Sequence, residues 1–140
     1  MALFNAAAAT EIANSDGEFR IAARFWNANL RLNARDESHD ESGDESGDVS
    51  YLLRIRDGRI VEFTRLDSAP KVDCDVTISA PLVDWREMLK PVPKPFFQDL
   101  MAAMTRQGFR VEGDLLGFNP YYRATCRLIE IMRNLPAPNK

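Results

Sequence analysis

A chain of 140 residues with 45% apolar content needs only one core, in which a domain of this size hides roughly two-thirds of the surface its unfolded form exposes. Its apolar runs are short and broken by charge, and none approaches the roughly 20 residues that cross a bilayer. One histidine, His39, and two cysteines, Cys74 and Cys126, supply neither a Ser/His/Asp or Cys/His triad nor a histidine-rich zinc site, so no catalytic residue, metal or cofactor is expected.

The N-terminus, Met1 to Ala6, lacks the basic flank of a secretory signal, and a cytoplasmic location is expected. Residues 1–15 are alanine-rich and weakly patterned, an N-terminal segment with a helical turn or two. Ser15-Asp16-Gly17-Glu18 then reads as a capping box, in which a serine hydroxyl and a glutamate three residues on satisfy each other's free amides. The helix that follows runs to about Trp26, with Phe19, Ala22, Ala23 and Trp26 inward. From Ala28 the period becomes two: Ala28, Leu30, Leu32 and Ala34 alternate with Asn29, Arg31 and Asn33, a half-buried strand.

Residues 36–48 contain seven acidic side chains and no lysine or arginine. With no apolar anchor, the segment is expected to be a disordered loop, and its spacing does not match a calcium-binding EF-hand loop. Without it the body carries 18 basic against 14 acidic residues, a mild excess that suits a solvated exterior or an anionic membrane surface.

Val49 to Arg56 and Arg59 to Leu66 flank Asp57-Gly58, a strong signal for a two-residue primed turn, with Val61 and Phe63 as core candidates of the return strand. After the turn at 67–70, Val72, Cys74, Val76 and Ile78 alternate with polar residues. The short connections predict that these three strands form an antiparallel meander.

The second half reads as helical. Ser79 is placed to cap a helix bearing Leu82, Trp85, Met88 and Leu89, broken by Pro91-Val92-Pro93. A second helix is expected from Phe96 to Gln107, ending at Gly108. Phe109 to Gly113 is a short strand, and Asn119-Pro120 opens a last helix through Asn134.

These elements make an α+β domain over residues 16–135, a mainly antiparallel five-stranded sheet covered by helices on one face, with a tail at 136–140. Val72 to Ser79, Pro95-Phe96-Phe97-Gln98 and Phe109-Arg110-Val111-Glu112-Gly113-Asp114-Leu115 resemble the corresponding parts of the sterol carrier protein family. Gly108, before the last strand, fits that family, whereas the acidic insertion and the longer aromatic segment after the helix pair depart from it.

The resemblance implies a tunnel between sheet and helices for a fatty acid, acyl-CoA or sterol. A lipid-like small molecule is thus the expected partner, a membrane surface a transient one, and nucleic acid none. The candidate wall is Trp85, Met88, Leu89, Phe96, Phe97, Leu100, Met101, Met104, Phe118, Tyr121 and Tyr122, more large, adaptable apolar side chains than a small core requires. Ordinary core packing is the competing reading of each. Arg123 and Arg127 either meet an anionic head group or form the solvated face of the last helix. An accessory or catalytic role in lipid or steroid metabolism, with Asp84, Glu87 or Tyr121 as acid or base, and a structural or dimerisation module with a collapsed tunnel are the alternatives.

Overall fold

The computed structural model describes residues 3–35, 48–66, 74–106 and 108–135. The readings of the acidic segment to residue 47, of His39, of the turn at 67–70 and of the tail lie outside these residues.

Two helices open the chain, α1 (Ala6–Ser15) and α2 (Gly17–Ala22), followed by strands β1 (Ala28–Arg35), β2 (Val49–Arg56) and β3 (Arg59–Leu66). Then come β4 (Val76–Pro81), α3 (Leu82–Met88), α4 (Leu100–Arg106), β5 (Arg110–Gly113) and α5 (Leu115–Phe118). A single 3-10 turn at Asn119–Tyr121 leads into α6 (Tyr122–Arg133).

The five strands form one sheet in the order β3-β2-β1-β4-β5. Every neighbouring pair is antiparallel except β1 and β4, which run parallel with Leu30 opposite Val76 and Leu32 opposite Ile78. The expected meander is therefore corrected: β4 does not follow β3 at the edge but crosses to the free side of β1. Burial explains the exchange. β4 hides Val76, Ile78, Ser79 and Ala80, which suits the interior of a sheet, whereas β3 leaves about half its residues exposed, as an edge strand can. Nine residues separate β3 from β4, enough to reach about 30 Å, so adjacency in sequence does not force pairing.

The Asp57-Gly58 turn has φ of 51° and 75°, the left-handed pair that a primed hairpin turn needs. A register shift at Arg54/Ile55 then pairs Ile55 with Ile60 and Leu53 with Phe63. This bulge turns Val61 out to solvent and makes Ile60 the buried residue, correcting the expected core position.

On the core face β1 buries Ala28, Leu30, Leu32 and Ala34, as its alternation predicts. The opposite face carries Asn29, Arg31, Asn33 and Arg35, where an Arg31 Nη2 to Ser50 Oγ bond of 3.2 Å and a Ser50 Oγ to Asn33 Oδ1 bond of 2.5 Å knit β1 to β2.

Several helix ends also differ from expectation. Asp16, not Ser15, caps α2, accepting the Phe19 amide at 2.8 Å. The alanines of α1 make a full ten-residue helix capped by Asn5, with Ala9 and Ala13 packed inside. Asn14 at its end bonds both the amide and the carbonyl of Ile60, closing part of the β3 edge. Ser79 stays in β4 and receives Arg35 Nη1 instead of capping α3. The second helix of the pair starts at Leu100, because Phe96 sits at φ 74°, outside helical backbone, and Asp99 accepts the Ala102 amide at the later start.

Candidate functional site: an apolar seam beneath the last helix

β1, β2 and β4 present Leu30, Leu32, Leu53 and Ile78 toward the helices, and α6 returns Leu128, Ile129 and Met132 against them. Trp26 and Trp85 close the two flanks. α6 is amphipathic, and its periodicity turns these three side chains inward while Arg123 and Glu130 face solvent. The only side-chain polar atom in the wall besides the indole nitrogens is the Thr125 hydroxyl, which donates to the Tyr121 carbonyl at 3.4 Å. Trp85 Nε1 donates to the Asn33 carbonyl at 2.9 Å while its ring meets Phe109 edge-on at 5.0 Å, so the tryptophan is held from both ends. The free volume in this seam is about 10 Å³, near the threshold for a single water and far below the roughly 300–1,000 Å³ of ordinary ligand pockets. The walls are in contact.

A second, open cleft of about 130 Å³ lies between the starts of β1 and β4 and α5. It shares Trp26 and Leu30 with the seam. Trp26 stacks on Tyr121 at 5.0 Å and 10° and meets the edge of Phe118 at 6.4 Å.

The eleven side chains singled out in the sequence do not form one wall. Trp85 alone lines the seam; Met88, Phe97, Leu100 and Phe118 are buried in the surrounding core. Phe96, Met101 and Met104 are exposed, and Leu89, Tyr121 and Tyr122 are partly buried. The Tyr122 hydroxyl is already committed: it donates to Asp99 Oδ1 at 2.6 Å and accepts the Met101 amide at 2.8 Å. Burial and then the Asp99 bond push its pKa up, and burial also raises that of Cys126, whose Sγ lies 3.8 Å from the same carboxylate oxygen. The seam residues missed in the sequence are the sheet's own Leu30, Leu32, Leu53 and Ile78 and the inner stripe of α6. Their only signal is ordinary amphipathic alternation, which marks core and cavity wall alike.

The lead-in to α4 is held by polar latches. Arg133 on α6 donates to the carbonyls of Met88 at 2.7 Å and Phe97 at 2.9 Å, and burial lowers its pKa. Glu87 accepts Lys90 Nζ and the Lys94 amide, both at 3.0 Å. These partners, the Lys90 bond first, hold its carboxyl below the usual range, opposite to the upward shift that a general base in an apolar pocket needs. Arg127 is likewise engaged: Nε and Nη2 grip the two oxygens of Asp16 at 2.9 and 2.8 Å, which leaves Arg123 as the uncommitted arginine of the pair. Among the described residues no group of three or more His, Cys, Asp or Glu side chains is placed to hold a metal, and no helix is long and apolar enough to cross a membrane.

The arrangement of a five-stranded mixed sheet with helices has structural counterparts. A crystal structure of sterol carrier protein 2 superposes with a TM-score of 0.73 at 23% identity, over 94% of this chain and 95% of that one. The chain has a sterol carrier protein 2-like fold. A conserved hypothetical protein of Thermus thermophilus, described as a possible sterol carrier protein, gives the same TM-score and identity over 100% of this chain and 94% of its own. A ubiquinone synthesis protein, UbiJ-SCP2, matches at a TM-score of 0.55 and 14% identity over 91% of this chain and 90% of its own. No protein-family model and no curated protein sequence matches the chain. The sterol carrier-like fold agrees with the resemblance carried by Val72 to Ser79 and Phe109 to Leu115; Val72 and Asp73 lie outside the described residues, and Asp75, Gly113 and Asp114 can now be read physically. Gly113 has φ 120°, and a Cβ there would lie 2.2 Å from the Asp75 carbonyl oxygen. Asp114 donates its amide to that same oxygen at 2.8 Å and caps α5 through Gly117.

Proposed function

We propose that this sterol carrier-like domain binds an apolar, lipid-like molecule, a fatty acid, acyl-CoA or sterol, in the seam between its sheet and α6. The observation that carries the reading is the composition of that seam: three strands, the last helix and two tryptophans supply an almost wholly apolar wall within a sterol carrier-like fold. A sixteen-carbon chain gains on the order of 12 kcal/mol gross from burial at ~0.8 per methylene. Association and ordering remove several kcal/mol or more of this, and separating the walls removes a further part. Trp26 is the gate we assign, because it alone stands with Leu30 between the outer cleft and the seam.

The near-absence of free volume favours a second reading, a structural module whose seam stays shut. Displacement of a fluorescent fatty acid by unlabelled acyl chains and sterols, run beside native mass spectrometry of the gently purified protein, separates the two. Saturable displacement by either class, with co-purified lipid in the spectrum, supports binding. Silence across both panels, with a ligand-free mass, leaves the closed module. A catalytic role has no support from Glu87, which is bound to Lys90 and Lys94. An accessory role in lipid metabolism would use the same seam.

A further inference from the structure

We infer that the sheet face opposite the seam carries an oxyanion site, formed by Arg31 of β1 and Arg54 of β2, for the phosphate group of a small, water-soluble molecule. The inference needs no ligand in the seam. Among the described residues, the buried side-chain nitrogen and oxygen atoms without a hydrogen-bond partner are Arg31 Nε and Arg54 Nε. A charged donor shut away from both water and an acceptor is costly, and such groups are rare in folded proteins. These two also stand together. The β1–β2 register sets Arg31 opposite Leu52 and Asn29 opposite Arg54, so the two arginines are diagonal neighbours on one face.

Leu52, which they flank, is 4% exposed although it stands outside the core cluster. Long arginine stems cover an apolar residue in this way while their heads stay near water. Arg54 keeps 43% of its side chain exposed and Arg31 is half-buried, so both heads can turn toward a ligand.

Charge and geometry identify the occupant. Other arginine donors on this face have acceptors: Arg31 Nη2 bonds Ser50, Arg35 Nη1 bonds Ser79, and Arg56 serves the Ala28 and Ile55 carbonyls and the Asn29 side chain. Glu62 Oε1 lies 3.4 Å from Arg54 Nε without forming a hydrogen bond, so one carboxylate faces two guanidiniums. A single guanidinium already uses both oxygens of a carboxylate, as Arg127 does with Asp16. Two neighbouring guanidiniums are satisfied together by a tetrahedral group that has oxygens for each.

Titration with inorganic phosphate at constant ionic strength, followed through the arginine Nε–H signals in nitrogen–proton NMR spectra, tests the inference. The Arg31 and Arg54 signals should shift together and saturate. Methyl phosphate, run in parallel, tells an esterified source from the free ion by which of the two binds more tightly. R31Q should weaken binding at least about tenfold, since a hydrogen bond between charged groups is lost. R31K keeps the charge but not the planar fork, and should recover only part of the affinity. E62Q, which removes the competing carboxylate, should tighten binding by up to about fivefold. R20Q, an exposed change on α2, should match the wild type. Amide spectra show whether each variant is folded. The inference is overturned if neither signal saturates, if chloride at the same ionic strength moves them as far, or if R31K binds as well as the wild type. It is also overturned if both signals are already hydrogen-bonded without phosphate and move when the carboxylates of residues 36–48 are neutralised by substitution, because the chain's own acidic stretch would then be the occupant. Fatty-acid displacement on the same variants reads the seam separately, so failure of one reading leaves the other standing.

Discussion

Asp16 does two jobs with one carboxylate. It caps α2 through the Phe19 amide and takes a two-pronged bond from Arg127 on α6, 111 residues away, so local and long-range order meet in one side chain. The Arg127 bond, with help from the cap, lowers its pKa to about 2, from the usual value of 3.8. A carboxyl whose folded pKa lies below its unfolded one stabilises the fold above the unfolded value. Its contribution is therefore complete above about pH 4 and is lost as pH falls from there to about 2. Asp16→Asn keeps the cap but removes the charge. Equilibrium denaturation should show it less stable by about 1–2 kcal/mol at pH 7, with the gap to wild type closing by pH 2. A constant gap across that range would mean that the ion pair contributes nothing and the loss lies in packing.

The elements were legible in the sequence where local chemistry decides them and obscure where partners do. The β1 alternation, the Asp57-Gly58 turn and the amphipathic last helix are read from neighbours within a few residues, and each stands where expected. The place of β4 beside β1 and the shift of the cap from Ser15 to Asp16 involve groups 40 or more residues away, and the bulge that exchanges Val61 for Ile60 depends on cross-strand register, none of which periodicity records. The candidate site divides in the same way: large side chains of the second half stood out by type, but the seam is walled mostly by strand and helix side chains that look like any core. Gly113 joins the local and the distant. Its positive φ and the Asp75 carbonyl against it leave no room for a methyl group, and it ends the β4–β5 ladder that ties β5 to the sheet. Gly113→Ala should cost on the order of 3 kcal/mol, read as a fall in denaturation midpoint with an unchanged m-value, and should speed amide exchange in β5. If the loss is only a few tenths of a kcal/mol, the β4–β5 corner yields more easily than its geometry implies.

At the scale of the whole molecule, Trp26 and Leu30 line both the outer cleft and the closed apolar seam. The interior has about 10 Å³ to spare, so an oily guest enters only if the seam gives way. Met132 is the wall residue best suited to test that, being buried on α6, unbranched and free of polar partners. Met132→Ala removes packing and should lower stability by about 2–4 kcal/mol, because protein interiors relax only partly around a deletion. The space left is lined mainly by leucine, isoleucine and tryptophan, and the one hydroxyl in the wall, that of Thr125, already donates to the Tyr121 carbonyl, so it should stay dry and accept an apolar guest. Thermal denaturation with a medium-chain fatty acid then separates the two readings of the domain. If the seam is a binding site, saturating ligand raises the melting temperature of both proteins, by about 2.7 kcal/mol of stability at a hundred times the dissociation constant, and binds the variant more tightly because part of the opening is already done. If the seam is only core, the variant loses stability, ligand restores none of it, and the wild type is equally indifferent.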